Sequence, residues 1–190
     1  GLGAHVGPAK STDELRELIA KGTGGLVPRP PTRWKGLPNE AAPEGGYIDH
    51  LSIPVGRFKV PPLELPSVLP QQLLMLGVAH EAFDDAGAPG PGPHPRIGTV
   101  IGLGLDLEST SFQLRWTLRA RAEQWAKETG HTLDEAWLTS TLDQLTPPLD
   151  AQRTLGALGG IVASRVAREF SLGGPSFGVQ ADEGGGLEAL

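Results

Sequence analysis

Between Pro70 and Gly87 the chain carries apolar residues around most of a helix rather than along one stripe. Leu73, Leu74, Leu76, Val78, Ala79, Ala82 and Phe83 fall in that stretch. Pro70 pre-sets the first turn and Gly87 stops the last. A helix that is apolar on several sides needs cover on several sides, and a sheet with helices layered on it supplies that. Two short runs provide strands: Ile97 to Leu103, rich in β-branched residues, and Phe177 to Ala181. Both read as buried parallel strands. Strands alternating with helices predict an α/β layered fold.

The remaining segments fit that scheme. Gly1-Leu-Gly3-Ala-His-Val-Gly7 reads as a strand end and a glycine-rich turn. Ser11 and Glu14 form a capping box in which Glu14 reaches back to the Ser11 amide. Leu15, Leu18 and Ile19 give that helix an apolar face, and Gly22 ends it. Leu26 to Pro66 reads as a long ordered loop with extended pieces around Gly46 to Leu51. Amphipathic helices are expected from Ser109 to Thr129, with Phe112, Leu114, Trp116, Leu118 and Trp125, and from Leu133 to about Leu145. Thr154 to Phe170 reads as a helix whose small residues Gly156, Ala157, Gly159 and Gly160 permit close approach, stopped by Gly173-Gly174. Ala86 to Pro95, low in complexity, reads as a surface loop.

Several function classes are excluded by composition. The 190 residues contain no cysteine, which rules out disulfides, zinc–thiolate sites and thiol catalysis within the chain. The net charge of -6 argues against a nucleic-acid partner, which needs clustered Lys and Arg. Arg115, Arg119 and Arg121 make a small basic patch, interrupted by Glu123 and Glu128, that reads as a solvated helix face. Nothing approaches a membrane span or a signal pattern, so a cytoplasmic location is the expectation.

Three motifs compete for the chemistry. Gly174-Pro-Ser176-Phe-Gly178 has the letters of a hydrolase nucleophile elbow, but a helix precedes the serine and a strand follows, the reverse of the order that motif needs. Gly102-Leu-Gly104 lacks the third glycine of a dinucleotide fingerprint, and Asp106 and Glu108 would repel a pyrophosphate. His5, His50, His80, His94 and His131 show no metal-ligand spacing. The third motif is the turn at Asp182-Glu183, where an apolar strand ends, two acids follow and three glycines open a helix. Free amides and the helix dipole at such a place favour negative charge. On local chemistry alone, both acids read as caps of a helix over 184–190.

The last seventeen residues resemble the nucleophile turn of β-ketoacyl synthases, which runs Gly-Pro-Ser, an apolar strand, Asp-Thr-Ala-Cys-Ser-Ser-Ser-Leu and an apolar helix. Gly174, Pro175, Ser176, Val179, Gly186, Leu187, Ala189 and Leu190 fall in step, and the family's cysteine falls on Glu183. Pro70-Gln71-Gln72 and Glu81-Ala82-Phe83-Asp84-Asp85-Ala86-Gly87 resemble the family's Pro-Gln-Gln helix and its Glu-Ala-Leu-Glu-Asp-Ala-Gly end. Arg96 to Gly102, Leu158 to Phe170 and Pro30 to Trp34 are similar to further family segments. Leu69 and Leu73 depart from the family's aspartate and arginine. Asp106 to Asp150 looks most like condensing domains of polyunsaturated-fatty-acid and iterative polyketide synthases.

The resemblance implies a thiolase-like α/β/α fold of which residues 1–190 are the N-terminal portion, with a helical insertion at about 106–150. It implies two histidines beyond Leu190, a dimer formed through strands near the nucleophile turn, and substrates carried on the phosphopantetheine of acyl carrier protein, with no cofactor or metal of the chain's own. Glu183 cannot form the family's acyl thioester, and a mixed anhydride in its place would hydrolyse. The expectation is a non-condensing partner of the chain-length-factor type that pairs with an active synthase and contacts acyl carrier protein. A malonyl decarboxylase and a scaffold without acyl chemistry are the alternatives.

Overall fold

The computed structural model describes residues 1–31, 33, 43–87, 92–104, 107–145, 148, 151, 154, 158 and 160–190, with the backbone alone at 107–113 and 182. In chain order the elements are α1 (Thr12–Lys21), α2 (Pro70–Asp85), β1 (Thr99–Gly102), α3 (Leu107–Thr129), α4 (Glu135–Leu145), α5 (Ile161–Glu169), β2 (Ser176–Val179) and α6 (Gly185–Glu188). Trp34, Asp106, Gly156, Ala157, Gly159 and positions 88–91 of the proline–glycine run lie outside the described residues. The chain divides into two compact units. One comprises residues 1–60, 70–98 and 165–174; the other comprises 61–69, 99–164 and 175–190.

The first unit is organised by α2. Leu73 and Leu76 are buried in its first half, as its apolar circumference predicts. Its C-terminal half holds the N-terminal segment by carboxylate–amide bonds. Glu81 accepts from the amides of Thr12 at 2.6 Å and Ala4 at 3.0 Å, and Asp85 accepts from Leu2 at 2.8 Å. No strand forms at Gly1 to Gly7; the segment instead lies against the helix backbone, where a Cβ at Gly3 would stand 2.1 Å from the Val78 carbonyl. Helix α1 is capped by Ser11, whose side chain accepts from the Glu14 amide, and Gly22 closes it at φ 62°. The reciprocal bond of the capping box runs one residue further out than expected, from the Lys10 amide to Glu14 at 2.8 Å. Leu15 and Leu18 are half-buried while Ile19 is exposed.

The end of α5 differs from the sequence expectation. The left-handed residue is Ser171, at φ 55°, ahead of the two glycines. Gly173 and Gly174 are required for another reason. Their amides donate to the carbonyls of His94 and Ile97, both at 2.9 Å, and a Cβ on Gly174 would lie 2.8 Å from the Gly98 nitrogen. Phe83 stacks on Phe170 with ring centroids 4.6 Å apart, and His80 packs edge-on to Phe58 and Phe170.

In the second unit β1 and β2 pair in parallel, in the register Thr99↔Ser176 to Gly102↔Val179. The strands are parallel as expected but less buried: Ile101 is covered, whereas Val100 and Phe177 are exposed. Among the described residues each strand has only the other as a ladder partner, which leaves an edge open on each. Helices α3 and α4 pack together. Gly130, at φ 68°, turns the chain between them, and Asp134 caps α4 by accepting from Ala136 and Trp137. Of the arginines read as a solvated face, Arg119 and Arg121 are exposed as expected, and two of the three also bridge the helices: Arg115 pairs with Asp143, and Arg119 with Glu135 at 2.6 Å. Trp116, Trp125 and Trp137 are exposed, so the apolar positions of these helices are covered less than their pattern suggests. Among the described residues no helix is long and apolar enough to cross a membrane.

The Thr12 amide, opposed by partial desolvation and helped by the Ala4 amide, holds the Glu81 carboxyl below its ordinary value of 4.5. A lowered carboxylate pKa stabilises the fold above the ordinary value, and that stability is lost as pH falls through the lowered one. Glu81→Gln should therefore cost on the order of 1 kcal/mol at neutral pH. Thermal melts across acidic pH should show the gap to wild type closing below 4.5.

Candidate functional site

The turn that follows β2 is built by backbone contact. The Leu103 amide donates to the Val179 carbonyl at 2.9 Å, which extends the parallel ladder one step beyond β1. The chain then makes a single 3-10 turn over Asp182–Gly184, closed by the Gly184 amide on the Ala181 carbonyl at 2.8 Å, and enters α6. Gly185 is buried under the end of β1. A Cβ built on Gly102 would stand 2.3 Å from the Gly185 carbonyl oxygen and 2.8 Å from the Gly186 nitrogen, so β1 ends in glycine because the turn occupies that space.

Glu183 lies in this 3-10 turn, exposed, and its carboxylate makes no ion pair or hydrogen bond with the described residues. The cap of α6 is Gly184, which has no side chain to offer, so Glu183 is not the capping residue that local chemistry suggested. Ser176 opens β2 rather than following a strand, which is the wrong place for a hydrolase nucleophile. Its hydroxyl oxygen is buried and has no hydrogen-bond partner among the described residues. Gly178 packs against the Leu103 side chain, 3.2 Å from where its Cβ would be.

The histidines do not converge on this turn. His80 contacts Asp84 at 2.9 Å, His94 takes part in the backbone ladder with Leu172, and His131 follows α3. His5 and His50 line one cleft in the first unit. No group of three His, Cys, Asp or Glu residues that could hold a metal occurs among the described residues. The residues that sequence reading missed are Gly102 and Gly185. The signal in the sequence is the glycine that ends a β-branched run, which by its letters alone reads as part of a nucleotide fingerprint.

With this geometry in place, comparison with known proteins is specific. A family model described as "Beta-ketoacyl synthase, N-terminal domain" matches residues 1–190. A polyunsaturated fatty acid synthase chain from a Thraustochytrium species is 27% identical over 187 residues, which cover 93% of this chain and 9% of that protein. The highly reducing polyketide synthase sphB of Aspergillus fumigatus is 32% identical over 161 residues, 80% of this chain and 5% of that one. Among solved structures, a PfaC keto synthase–chain length factor superposes with a TM-score of 0.82 at 25% identity, over 97% of this chain and 21% of the other. The chain thus spans a small part of each relative. Its fold is the N-terminal part of the thiolase-like α/β architecture.

Gly102→Ala should destabilise the protein by about 1–3 kcal/mol, because the clash is with backbone that cannot rotate away. Gly186→Ala, where a Cβ meets nothing within 4 Å, should be nearly neutral. Urea unfolding of the two variants against wild type checks the contrast.

Proposed function

The chain belongs to the β-ketoacyl synthase family as its N-terminal domain, and on that premise we propose that it is a non-condensing, chain-length-factor-type domain of a fatty acid or polyketide synthase. The observation that carries this reading is the Glu183 turn. The strand, the turn and the opening of a helix are retained, yet the residue in the place of the family's nucleophile is a carboxylate, and the chain holds no cysteine at all. A carboxylate is a weaker nucleophile than a thiolate, and an acyl group on it, a mixed anhydride, would be lost to water. Covalent acyl carriage then falls to a partner.

The proposed partner is an active β-ketoacyl synthase, or a second copy of this domain, with acyl chains presented on the phosphopantetheine of acyl carrier protein. This domain would shape the tunnel that receives them. The open edges of β1 and β2, with Val100 and Phe177 exposed, support pairing through the strands next to the turn. Similarity to the PfaC keto synthase–chain length factor supports the chain-length role. A malonyl decarboxylase is disfavoured by the charge of Glu183, which would repel a malonyl carboxylate.

Incubation with acyl-loaded carrier protein, followed by intact-mass measurement, should show no acyl adduct on the wild-type chain. Glu183→Cys should create a thiol alkylated by iodoacetamide, because the position is exposed. A hydroxylamine-sensitive adduct on wild-type Glu183 would overturn the non-condensing role. Carbon dioxide release from malonyl carrier protein that disappears in Glu183→Ala would replace it with the decarboxylase.

A further inference from the structure

One glycine in α2 has no packing reason to be glycine. Gly77 sits in the middle of the helix, where glycine costs about 1 kcal/mol relative to alanine. At Gly1, Gly3 and Gly102 a Cβ would collide with backbone, but at Gly77 it would meet nothing within 4 Å among the described residues. The missing side chain opens onto a cleft of about 420 Å³ in the first unit, a volume in the range of small-molecule sites. Leu74, Gly77 and Val78 of α2 form its apolar part together with Ala4, Leu51, Ile53 and Phe58.

The charged residues lining this cleft are cationic except for one. Lys10 and Arg57 face it, together with His5 and His50, and the hydroxyls of Ser11 and Ser52 complete the polar part. Neither Lys10 nor Arg57 has an ion pair among the described residues; the Arg57 guanidinium lies 5.4 Å from the centroid of the Phe58 ring. His50 contacts Asp49, which is not on the lining, through Nε2 at 3.1 Å. The single carboxylate on the lining is Glu81, and it is committed to the amides of Thr12 and Ala4. The Ser11 hydroxyl is likewise occupied by the Glu14 amide. The charges of Lys10 and Arg57 are therefore not answered from within the cleft.

We propose that this cleft binds an organic phosphate monoester. The phosphate is met by Lys10 and Arg57, with His5 and His50 donating hydrogen bonds, and the organic group lies on Leu74 and Val78 over the gap left by Gly77. A monoester is chosen because its charge of nearly two at neutral pH matches two unanswered cations. The apolar part of the lining adds affinity that a bare anion could not gain. No residue of the Glu183 turn takes part, so this site and the acyl role stand or fall separately.

Titration calorimetry of the full 190-residue chain at low salt tests it, with phenyl phosphate, inorganic phosphate and benzyl alcohol as probes. Phenyl phosphate should bind saturably, about tenfold or more tighter than inorganic phosphate, and weaken as salt is raised. Benzyl alcohol should not bind. Gly77→Phe should fill the cleft and weaken phenyl phosphate by about tenfold or more, while the melting temperature holds or rises, since phenylalanine is the better helix former. The Lys10→Ala/Arg57→Ala pair should cost a similar factor. Lys21→Ala, at the other end of α1, should change nothing. Absence of saturable phenyl phosphate binding, or binding untouched by both the glycine and the cation variants, overturns the proposal.

Discussion

The parallel pairing of β1 with β2 is the constraint on which the candidate site depends. Its register joins Thr99 to Ser176 and Gly102 to Val179, segments far apart in sequence. A parallel pair cannot be closed by a tight turn, so the chain between must cross over, and α3 and α4 lie within that crossover. The pairing brings the end of β1 to the place where β2 runs into the Glu183 turn. There a glycine lies against a peptide plane, and no side chain mediates the contact. Register and turn are consequently set together: a one-residue slip would put Ile101 or Leu103 where only hydrogen fits.

The first unit is held by different physics. Glu81, Asp84 and Asp85 crowd the C-terminal half of α2, where the helix dipole disfavours negative charge. The helix alone would be better without them. Two of the three are offset by amides of the N-terminal segment, and the third lies 2.9 Å from His80 one turn earlier. Gly1 and Gly3 let the backbone of that segment lie directly against α2, where a Cβ would collide with it. The acidic end of the helix is thus a tertiary feature, stable only with the segment it holds.

Local signals carried most of the secondary structure. Ser11 and Gly22 bound α1, Pro70 opens α2, and the β-branched run at 99–102 is a strand, each as the residues imply. What local signals could not carry is the identity of partners. Glu14 bonds the Lys10 amide rather than that of Ser11, and Arg119 reaches Glu135 on another helix. Exposure was misjudged for the same reason. Val100, Phe177 and Trp116 have core-like side chains, but burial depends on which neighbours arrive, and periodicity does not state that. At the turn, the close approach of Gly102 to Gly185 is a tertiary contact that no local pattern states.

The glycines around Glu183 leave the side chain at that position free of packing demands among the described residues. A Cβ at Gly184 or Gly186 would meet nothing, so their smallness is not demanded by packing within the chain. Only Gly185 is buried, and the demand for glycine falls on Gly102, across the contact. The side chain at 183 is therefore presented into open space rather than fitted into a core. Exchange of one side chain for another at such a place would disturb no packing among the described residues and leave no cavity, so its consequence is chemical rather than structural. A turn whose geometry is fixed by backbone contact tolerates a change in the side chain it presents.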